Sequence, residues 1–534
     1  MLRKTFVTAL ALFGFTFAYF YGQETTAAFI TYSENLYTKV KLFTSILDTI
    51  QRAYVEETDA DELIENAIKG VVSKLDPHTN YLPADDFKMW NQSFEGYTGI
   101  GISFEIIQDK VTVMKVIESG PASKNGIQRG DKIIEINDTS VIGIKKEDFL
   151  KKMMGPAGTP INLLVESERW SAPKRKQLIR EKILLKSLTQ CHLIQNDIGY
   201  VKIERFTSKT STELEKALTK LEAKGMKKLI LDLRGNSGGY LNTAIDVTDK
   251  FIPGGHKILT TKGRLPSSFQ EYYSTSETTH RLVPLVVLID HGSASAAEIV
   301  AGAIQDLDRG LIIGKTSFGK GLVQSQYRFH DGSALLITTA RYYTPSGRAI
   351  QRDYFEKTKD EYYRAAYDDQ KRNQKNNIIA KPAFKTLSGR TVYGGGGITP
   401  DIWIDNQENV LSDNLRELYF SEKRFFYAFA KDFIRIHPEL KRAKENFIEN
   451  FQVTKKLYWD FMKYVKSTDP YFSLIDFGVD KSDIKFLLKR EMAYLLWGSD
   501  ARFKVNVARD KQLKEAIKYF PNAHVLLSMA DLRN

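Results

Sequence analysis

Cysteine is nearly absent from this 534-residue chain, whose single cysteine is Cys191, so no disulfide can form within it. The redox character of its compartment therefore has to be inferred from the N-terminus instead of from cysteine usage. Cys191 lies in an alternating apolar stretch, SLTQCHLIQNDIGYVKIERF, which predicts a small, buried hydrophobic residue.

Long apolar runs are also scarce. One extends from Thr5 to Tyr21 behind two basic residues, and small and polar residues follow it. This layout predicts a secretory signal cleaved after Ala27, or an uncleaved membrane anchor, over residues 1–27; a buried N-terminal helix is less favoured. No later stretch matches its length and apolarity. We therefore expect the bulk of the chain to be soluble and exported to the periplasm or cell envelope.

An excess of negative charge is missing as well, because 77 Lys+Arg face 65 Asp+Glu and the net charge is +12. The basic residues are scattered without a nucleic-acid-binding motif, which favours a soluble basic surface over a nucleic-acid partner. No clustered His, Cys or Asp spacing suggests a metal, and no cofactor is expected. The 42% hydrophobic and 12% aromatic residues can build a sizeable core, spread over two to four domains.

The order of patterns along the chain predicts an α/β protein with helical ends. Residues 28–95 have a helical pattern, and residues 96–186 alternate apolar and polar positions between glycine-rich turns, as in a small β-rich module. Strands alternate with helices over residues 187–405, which favours a layered α/β core. A charged and aromatic insertion interrupts that core at 352–390, and residues 406–534 form a helical extension.

The stretch GYTGIGISF is the first with chemical meaning. A strand preceded by glycines exposes backbone N–H groups that can hold a carboxylate, and its edge can pair with an extended peptide. Taken alone, Gly-x-Gly before a strand is more often a tight turn. Followed by GPASKNGIQRGDKIIEIN, however, it closely resembles a PDZ domain. The resemblance implies a loop of Gly99, Ile100, Gly101 and Ile102 that binds a terminal carboxylate.

The stretch LDLRGNSGGY is the second. A strand that ends in glycines lets backbone amides face a ligand. The alternative is an ordinary turn between a strand and a helix, in which Asp232 and Arg234 simply pair.

The stretch IDHGSASAAEIVAGAIQD poses a choice between a helix cap and a nucleophile. Ser295-Ala-Ala-Glu298 spells a capping box. A helix that begins at Ala296 also presents unpaired N–H groups, which can stabilise an oxyanion beside Ser295. Ser295 directly precedes the helix and Ser293 lies two residues further back, so Ser295 is favoured as the nucleophile.

A nucleophilic serine needs a base. His291 lies four residues back in the same loop, where its ring would struggle to reach Ser295, and is interpreted as a turn residue. A lysine acts as a base only when neutral, which requires burial to depress a pKa that is normally about 10.4. The stretch GKTSFGKGLVQSQY supplies Lys315 and Lys320. A strand would place Gln324 on the same face as Lys320, where it can orient the amine.

Three stretches, VPLVVLIDHGSASAAEIVAGAIQD, GKTSFGKGLVQ and DGSALLITTARYYTPSGRAIQ, together resemble the C-terminal processing peptidases, a family of serine–lysine proteases. The resemblance covers residues 36–405, with the PDZ domain inserted where the family carries it. It implies Ser295 as the nucleophile, Lys320 as the base and Gln324 as the support of that lysine. By fold analogy it also implies a ClpP- or crotonase-like α/β core.

The resemblance further implies an oxyanion hole from the amide of Ala296 and that of a glycine in the RGNSGG turn, either Gly238 or a neighbour. The chain departs from the family at Ala297, often a second serine, and at Ser237, often a proline. Neither position is assigned chemistry, so the implied catalytic residues stand.

These observations predict an exported endopeptidase without a metal, acting on protein substrates with free, apolar C-termini. The PDZ domain would hold the tail while Ser295 attacks a backbone carbonyl and forms an acyl-enzyme. One alternative is a catalytically idle PDZ adaptor that binds protein C-termini, which would predict a missing serine or lysine. The other is a basic nucleic-acid binder, for which the sequence has no groove-reading or base-stacking pattern.

Overall fold

The computed structural model describes residues 35–117, 120–195, 197–275, 280–368, 381–404, 411–421, 423–470, 472 and 480–529. The signal or anchor expected over residues 1–27 lies outside these ranges, as do part of the insertion and the boundary expected at 406. The chain divides into two compact units, residues 1–81 and 82–534. Among the described helices, none combines the length and the apolarity needed to cross a bilayer.

The described part of the first unit is mainly helical, as its sequence pattern predicted. Its helices are α1 (residues 35–53) and α2 (Ala60–Val72). The carboxylate of Asp59 accepts hydrogen bonds from the N–H groups of Asp61 and Glu62, and so caps α2 in the usual way. Between these helices and the β-rich module lie β1 (Asn80–Leu82) and α3 (Ala84–Glu95).

The β-rich module has its own small core. Its elements are β2 (Tyr97–Gly99), β3 (Ile102–Ile107), β4 (Lys110–Val116), α4 (Pro121–Lys124), β5 (Lys132–Ile136), β6 (Thr139–Ser140), α5 (Lys146–Met153), β7 (Pro160–Glu166), β8 (Lys174–Ile179) and β9 (Glu181–Ile183). The main sheet has the order β3-β4-β5-β7-β8, with β6 on β5, and β2 pairs with β9. Strand β3 ends the sheet and, among the described residues, pairs with β4 alone. Its other edge makes no ladder with a strand of the described residues, which is the arrangement that strand addition by a peptide requires.

The α/β core contains β10 (Leu188–Ile194), β11 (Ile198–Ile203), α6 (Thr210–Ala223), β12 (Lys228–Asp232), α7 (Leu241–Asp249), β13 (Lys257–Gly263), β14 (Gln270–Tyr273), β15 (Leu285–Ile289), α8 (Ala296–Asp306), β16 (Leu311–Gly314), β17 (Leu322–Arg328), β18 (Ala334–Tyr343), α9 (Lys359–Arg364), β19 (Ala383–Lys385), β20 (Thr391–Tyr393) and β21 (Ile402–Trp403). Its central sheet has the order β10-β11-β12-β15-β16-β21, parallel except for the β10–β11 pair. A second, antiparallel sheet runs β14-β13-β18-β17.

The central sheet is buried on both faces, which explains the continuous apolar runs of β12 and β15. Helices α6, α7 and α8 pack on one face. The carboxyl ends of β12, β15 and β16 lie at the same edge, because these neighbouring strands are parallel. The glycine turn, the serine loop and the lysine turn follow those three strands in that order, and this edge therefore gathers the candidate site.

The helical extension consists of α10 (Asp413–Phe420), α11 (Phe425–Ile436), α12 (Lys444–Asn450), α13 (Lys455–Thr468), α14 (Lys481–Trp497), α15 (Ser499–Val507), α16 (Lys511–Lys518) and α17 (Phe520–Met529). Most of it has an apolar core of its own. Helices α16 and α17 instead pack on the second face of the central sheet, where Leu513 and Phe520 join Ile230 and Val286. The extension, to which the sequence assigned no role, thus completes the layered core.

The extension also contacts the β-rich module. The guanidinium of Arg129 lies 3.5 Å from the ring centroid of Tyr494 and donates to the carbonyl of that residue. Glu491 lies 3.5 Å from the same guanidinium. On the edge strand β3, Glu105 forms an ion pair of 2.7 Å with Arg424. The module is therefore attached to the extension at several places, which include an ion pair between Lys431 and Glu168.

Candidate active site

Ser295 lies at the junction between the loop after β15 and helix α8. Its φ of 53° and ψ of −112° are unusual for a residue with a side chain, and such backbone strain costs on the order of 1–3 kcal/mol. Strain of this kind persists where the surroundings impose it, and it is common at functional sites. The N–H of Ser295 donates to the Glu298 side chain at 2.8 Å, as the predicted capping box requires, and Ser295 is half-buried.

Ser293, the other serine of the segment, is fully buried. Its hydroxyl donates to the carbonyl of Leu233 at 2.8 Å and accepts from the N–H of Asp290 at 3.0 Å. These bonds tie the serine loop to the end of the neighbouring strand. Ser293 therefore has a structural role, and Ser295 stays the predicted nucleophile.

The carboxylate of Glu298 connects the serine to the lysine turn. Its Oε2 accepts from the backbone N–H of Ser295 at 2.8 Å and from that of Lys320 at 2.9 Å. Its Oε1 accepts from the Ser317 hydroxyl at 2.5 Å and from the Gly319 N–H at 2.6 Å. Burial raises the pKa of Glu298, although these hydrogen bonds favour its charged form. One buried group thereby fixes two segments that are separated in sequence.

A buried tyrosine makes a second connection between the same two residues. The Tyr342 hydroxyl lies 2.6 Å from the carbonyl oxygen of Lys320 and 3.1 Å from that of Ser295. Burial raises the pKa of Tyr342, so the phenol stays protonated and able to donate. Glu298 and Tyr342 together hold the N–H and C=O groups of both residues.

The amine of Lys320 donates to Gln324 Oε1 at 2.6 Å, so the expected contact is present. It does not arise from strand alternation, because a bulge lies between Val323 and Gln324 in β17. Lys320 itself precedes β17 and is half-buried. The turn leaves no room for larger neighbours, because a Cβ on Gly319 would lie 2.9 Å from the Gly397 nitrogen and one on Gly321 would lie 2.8 Å from backbone. The flanking glycines are therefore required by close packing.

The glycine turn after β12 approaches the serine closely. A Cβ on Gly238 would lie 2.8 Å from the Cβ of Ser295 and 3.1 Å from the nitrogen of Ala296. The N–H of Gly238 is already engaged, since it donates to Asn236 Oδ1 at 2.8 Å. Within the described part of the chain, the N–H groups of Ala296 and Gly239 have no acceptor.

Asp232 and Arg234 pair at the base of this turn, as the simpler interpretation of LDLRGNSGGY predicted. Arg234 Nη2 lies 2.7 Å from Asp232 Oδ2, and Tyr200 donates to the same oxygen at 2.6 Å. Burial opposes the charge of Asp232, but Arg234, Lys202 and Tyr200 outweigh it and lower the pKa to about 2. The opposite side of the Arg234 guanidinium binds Asp510 of the extension, again at 2.7 Å.

The remaining candidates have other surroundings. His291 lies in a turn with its ring against Tyr367, 4.5 Å between ring centroids, in agreement with its interpretation as a turn residue. In the β-rich module, Gly101 adopts a φ of 77° and Ile100 is 2% exposed within the core. Ile102 is partly buried at the start of the edge strand β3.

Sequence reasoning treated Glu298 only as a capping residue and missed Tyr342 and Asp510. A single charge in the otherwise small and apolar start of α8 is a usable sign that Glu298 is buried with partners. Asp510 has no such sign, because 276 residues separate it from Arg234.

Comparisons with known proteins identify the domains of the chain. Residues 197–360 match Peptidase family S41, residues 98–166 match the PDZ domain, and residues 22–86 match the N-terminal domain of the activating protease CtpB. The matched domains define a serine-type peptidase with a PDZ domain.

The carboxy-terminal-processing protease of Bartonella bacilliformis is 38% identical over 323 residues, which are 60% of this chain and 74% of that protein. Carboxy-terminal processing protease CtpA of Bacillus subtilis is 33% identical over 57% of this chain and 65% of its own length. The chain belongs to the carboxy-terminal processing protease family. Among solved structures, the photosystem II D1 C-terminal processing protease is 25% identical, with a TM-score of 0.36 over 72% of this chain and 97% of that one.

Proposed function

We propose that this protein is an exported endopeptidase that holds the C-terminal tail of a protein substrate in its PDZ domain and cleaves the substrate with a Ser295–Lys320 dyad. The observation that carries the proposal is the Glu298 carboxylate, which binds the N–H groups of both Ser295 and Lys320. A buried carboxylate used in this way fixes the two residues relative to each other, as a dyad requires.

The reaction begins with the neutral amine of Lys320 taking the proton of the Ser295 hydroxyl as its Oγ attacks a peptide carbonyl carbon. Gln324 Oε1 accepts one N–H of that amine and so orients the nitrogen lone pair. The protonated lysine returns the proton to the leaving amine, and an ester between Ser295 and the substrate remains. Water, deprotonated by the same lysine, then hydrolyses this acyl-enzyme.

The tetrahedral oxyanion would be stabilised by the amide of Ala296, the first residue of α8, where the helix dipole adds to the hydrogen bond. For the second donor we favour Gly239 over Gly238. The Gly238 amide is committed to Asn236, whereas the Gly239 amide has no acceptor among the described residues. Gly238 contributes by leaving open the space beside Ser295 that a side chain would fill.

The nucleophile is tested by comparing Ser295→Ala with Ser293→Ala on an unfolded protein substrate, with the cuts mapped by mass spectrometry. Ser295→Ala should lower kcat by roughly 10⁴-fold or more, because the covalent step is lost. Ser293→Ala loses the bonds to Leu233 and Asp290, so it should lower the unfolding temperature and cost about tenfold in kcat, far less than Ser295→Ala. Full activity in Ser295→Ala would end the serine-protease assignment, and equal losses in both variants would leave the nucleophile unassigned.

The base is tested with Lys320→Arg, which keeps the positive charge but cannot become neutral in a protein. It should be as inactive as Lys320→Ala. Lys315→Arg is the matched control, five residues away in the same segment, and should remain active. Substantial activity in Lys320→Arg would mean that another group is the base.

Export is the part of the proposal that rests on residues 1–27 alone. A basic start followed by an apolar run supports it. A reporter fused after Ala27 should leave the cytoplasm of a bacterial host. A reporter retained there would contradict the proposed location in the periplasm or cell envelope.

A further inference from the structure

The helical extension reaches into the base of the glycine turn through Asp510. Its two carboxylate oxygens accept from Arg234, Oδ1 from Nη1 at 3.0 Å and Oδ2 from Nη2 at 2.7 Å. Gln512 Oε1 accepts from the same Nη1 at 3.1 Å. Paired, bidentate contacts of this kind fix both the position and the orientation of a guanidinium.

The core alone holds only one side of that guanidinium. Asp232 binds Nε and Nη2 of Arg234, whereas Nη1 has partners only from the extension among the described residues. Without Asp510 and Gln512, a nearly buried cationic group would lose the acceptors on its outer side. An unpaired group of that kind is costly, and it would move to find water.

Arg234 is the residue directly before the glycine turn, and the turn is bonded to the serine loop. The carbonyl of Leu233 accepts from the Ser293 hydroxyl at 2.8 Å, and the carbonyl of Asn236 accepts from the N–H of Ala294 at 2.9 Å. A displacement of Arg234 would therefore be transmitted to the loop that presents the nucleophile. Misplacement by about 1 Å is enough to cost about a hundredfold in rate.

Asp510 is itself held in place. Its Oδ1 accepts from the N–H of Leu513 at 2.9 Å and caps α16, one of the helices on the second face of the central sheet. Gln512 is buried, and its amide donates to the carbonyl of Ile404 at 3.0 Å. The contact to Arg234 is thus made from a fixed point of the core.

We infer that Asp510 is a positioning residue of the peptidase: the extension holds Arg234, and through it the glycine turn and the serine loop, in the geometry that catalysis needs. The inference rests on the proposed function, since it concerns the reaction of Ser295. It assigns a catalytic task to a segment that has no catalytic residue of its own.

The experiment compares the full-length Asp510→Asn and Asp483→Asn variants, measuring kcat, KM and thermal unfolding for each. Asp483 pairs with Arg509, the neighbour of Asp510, so its substitution loosens the same segment without touching Arg234. Asp510→Asn should lower kcat by about tenfold to a hundredfold with KM within about twofold of the wild type. Asp483→Asn should change kcat by less than about twofold at a similar unfolding temperature.

Equal kcat in Asp510→Asn and the wild type would overturn the inference, and so would equal losses in the two variants. If Asp510→Asn does not fold, Asp510→Glu takes its place. It keeps the charge but displaces the carboxylate by one methylene, so it should lower kcat while keeping the unfolding temperature. An unchanged kcat in folded Asp510→Glu would then count against the inference. Ser295→Ala is assayed in parallel, because activity in that variant would refute the proposed function and not the role of Asp510.

Discussion

The two glycine turns that we propose to face the substrate are held by different groups. In the PDZ turn, residues 99–102, the carbonyls of Ile100 and Gly101 accept from the backbone N–H groups of Ala122 and Ile117. In the peptidase turn, residues 235–239, several of the hydrogen bonds that hold the backbone come from side chains.

The bonds of the peptidase turn illustrate the contrast. Asp290 accepts from the N–H of Gly235 at 2.9 Å, Asn236 accepts from that of Gly238, and Arg234 is clamped between two carboxylates. Backbone bonds tolerate many side chains, whereas each side-chain bond depends on one residue. A binding loop can be built in the first way, but catalysis depends on distances fixed within about 0.5 Å. We therefore expect substitutions around the peptidase turn to cost far more.

The largest difference in activity should come from substituting one glutamate beside each turn. Glu298→Gln replaces an acceptor of four hydrogen bonds by an amide with one oxygen, and should lower kcat by about 10²- to 10³-fold. The matched control is Glu181→Gln. Glu181 lies opposite Gly99 in the β2–β9 pair and forms an exposed ion pair with Lys124. That variant should change kcat/KM less than about twofold. Comparable losses of activity in both variants would contradict the expected difference between the two turns.

A second prediction compares glycines within the peptidase turn. Gly238→Ala should lower kcat by about a hundredfold or more, because the added Cβ meets Ser295 and Ala296. Gly235 also has a positive φ, of 70°, but an added Cβ meets nothing within 4 Å. Gly235→Ala should therefore cost on the order of 1 kcal/mol of stability, with most of the activity kept. Measuring kcat and the unfolding temperature of both variants distinguishes the effect of a clashing Cβ from the effect of a positive φ. An active Gly238→Ala would contradict the close approach of Gly238 to Ser295.

The PDZ turn is tested through the substrate. One peptide with an apolar C-terminal residue is cleaved as the free acid and as the amide. Amidation removes a charge that the backbone donors of residues 99–102 would bind, at a cost of about 1.5–3 kcal/mol. The acid should therefore be cleaved about tenfold to a hundredfold faster below saturation. Equal rates would mean that the PDZ domain does not bind the terminal carboxylate.

The smallest expected effect is a change in stability at low pH. It concerns Asp232, at the base of the peptidase turn. The pKa of Asp232 is about 2 in the folded protein against 3.8 ordinarily, so its contribution to stability is present above pH about 4 and is lost as the pH falls through about 2. That contribution is between about 2 and 3 kcal/mol, since one pKa unit corresponds to about 1.36 kcal/mol. Asp232→Asn should be less stable at pH 7 and lose less stability between pH 4 and pH 2. Parallel acid unfolding of the two proteins would contradict this.

Much of the arrangement could be predicted from the sequence. Alternating apolar residues indicated the strands of the PDZ domain, continuous apolar runs indicated those of the central sheet, and Lys320 and Gln324 were expected to meet because they are close in sequence. These inferences depend on residues that are close in sequence, where the periodicity of a strand or helix fixes which side chains meet.

The rest depended on pairings between distant segments. Asp510 meets Arg234 only because α16 packs on the second face of the central sheet, and the apolar pattern of that helix does not specify its partner. The strained backbone of Ser295 is likewise imposed by its surroundings and contradicts its local preference.

The cover that α16 and α17 form over the central sheet also constrains the order in which the protein matures. Roughly 200 residues separate β16 from α16. Since a chain is made from its N-terminus, all the parallel strands of the sheet except the short β21 are made well before α16 and α17. Until then the apolar second face is bare and Arg234 lacks its outer clamp. A chain that lacks α16 and α17 would consequently expose this apolar face and hold the Arg234 guanidinium from one side only.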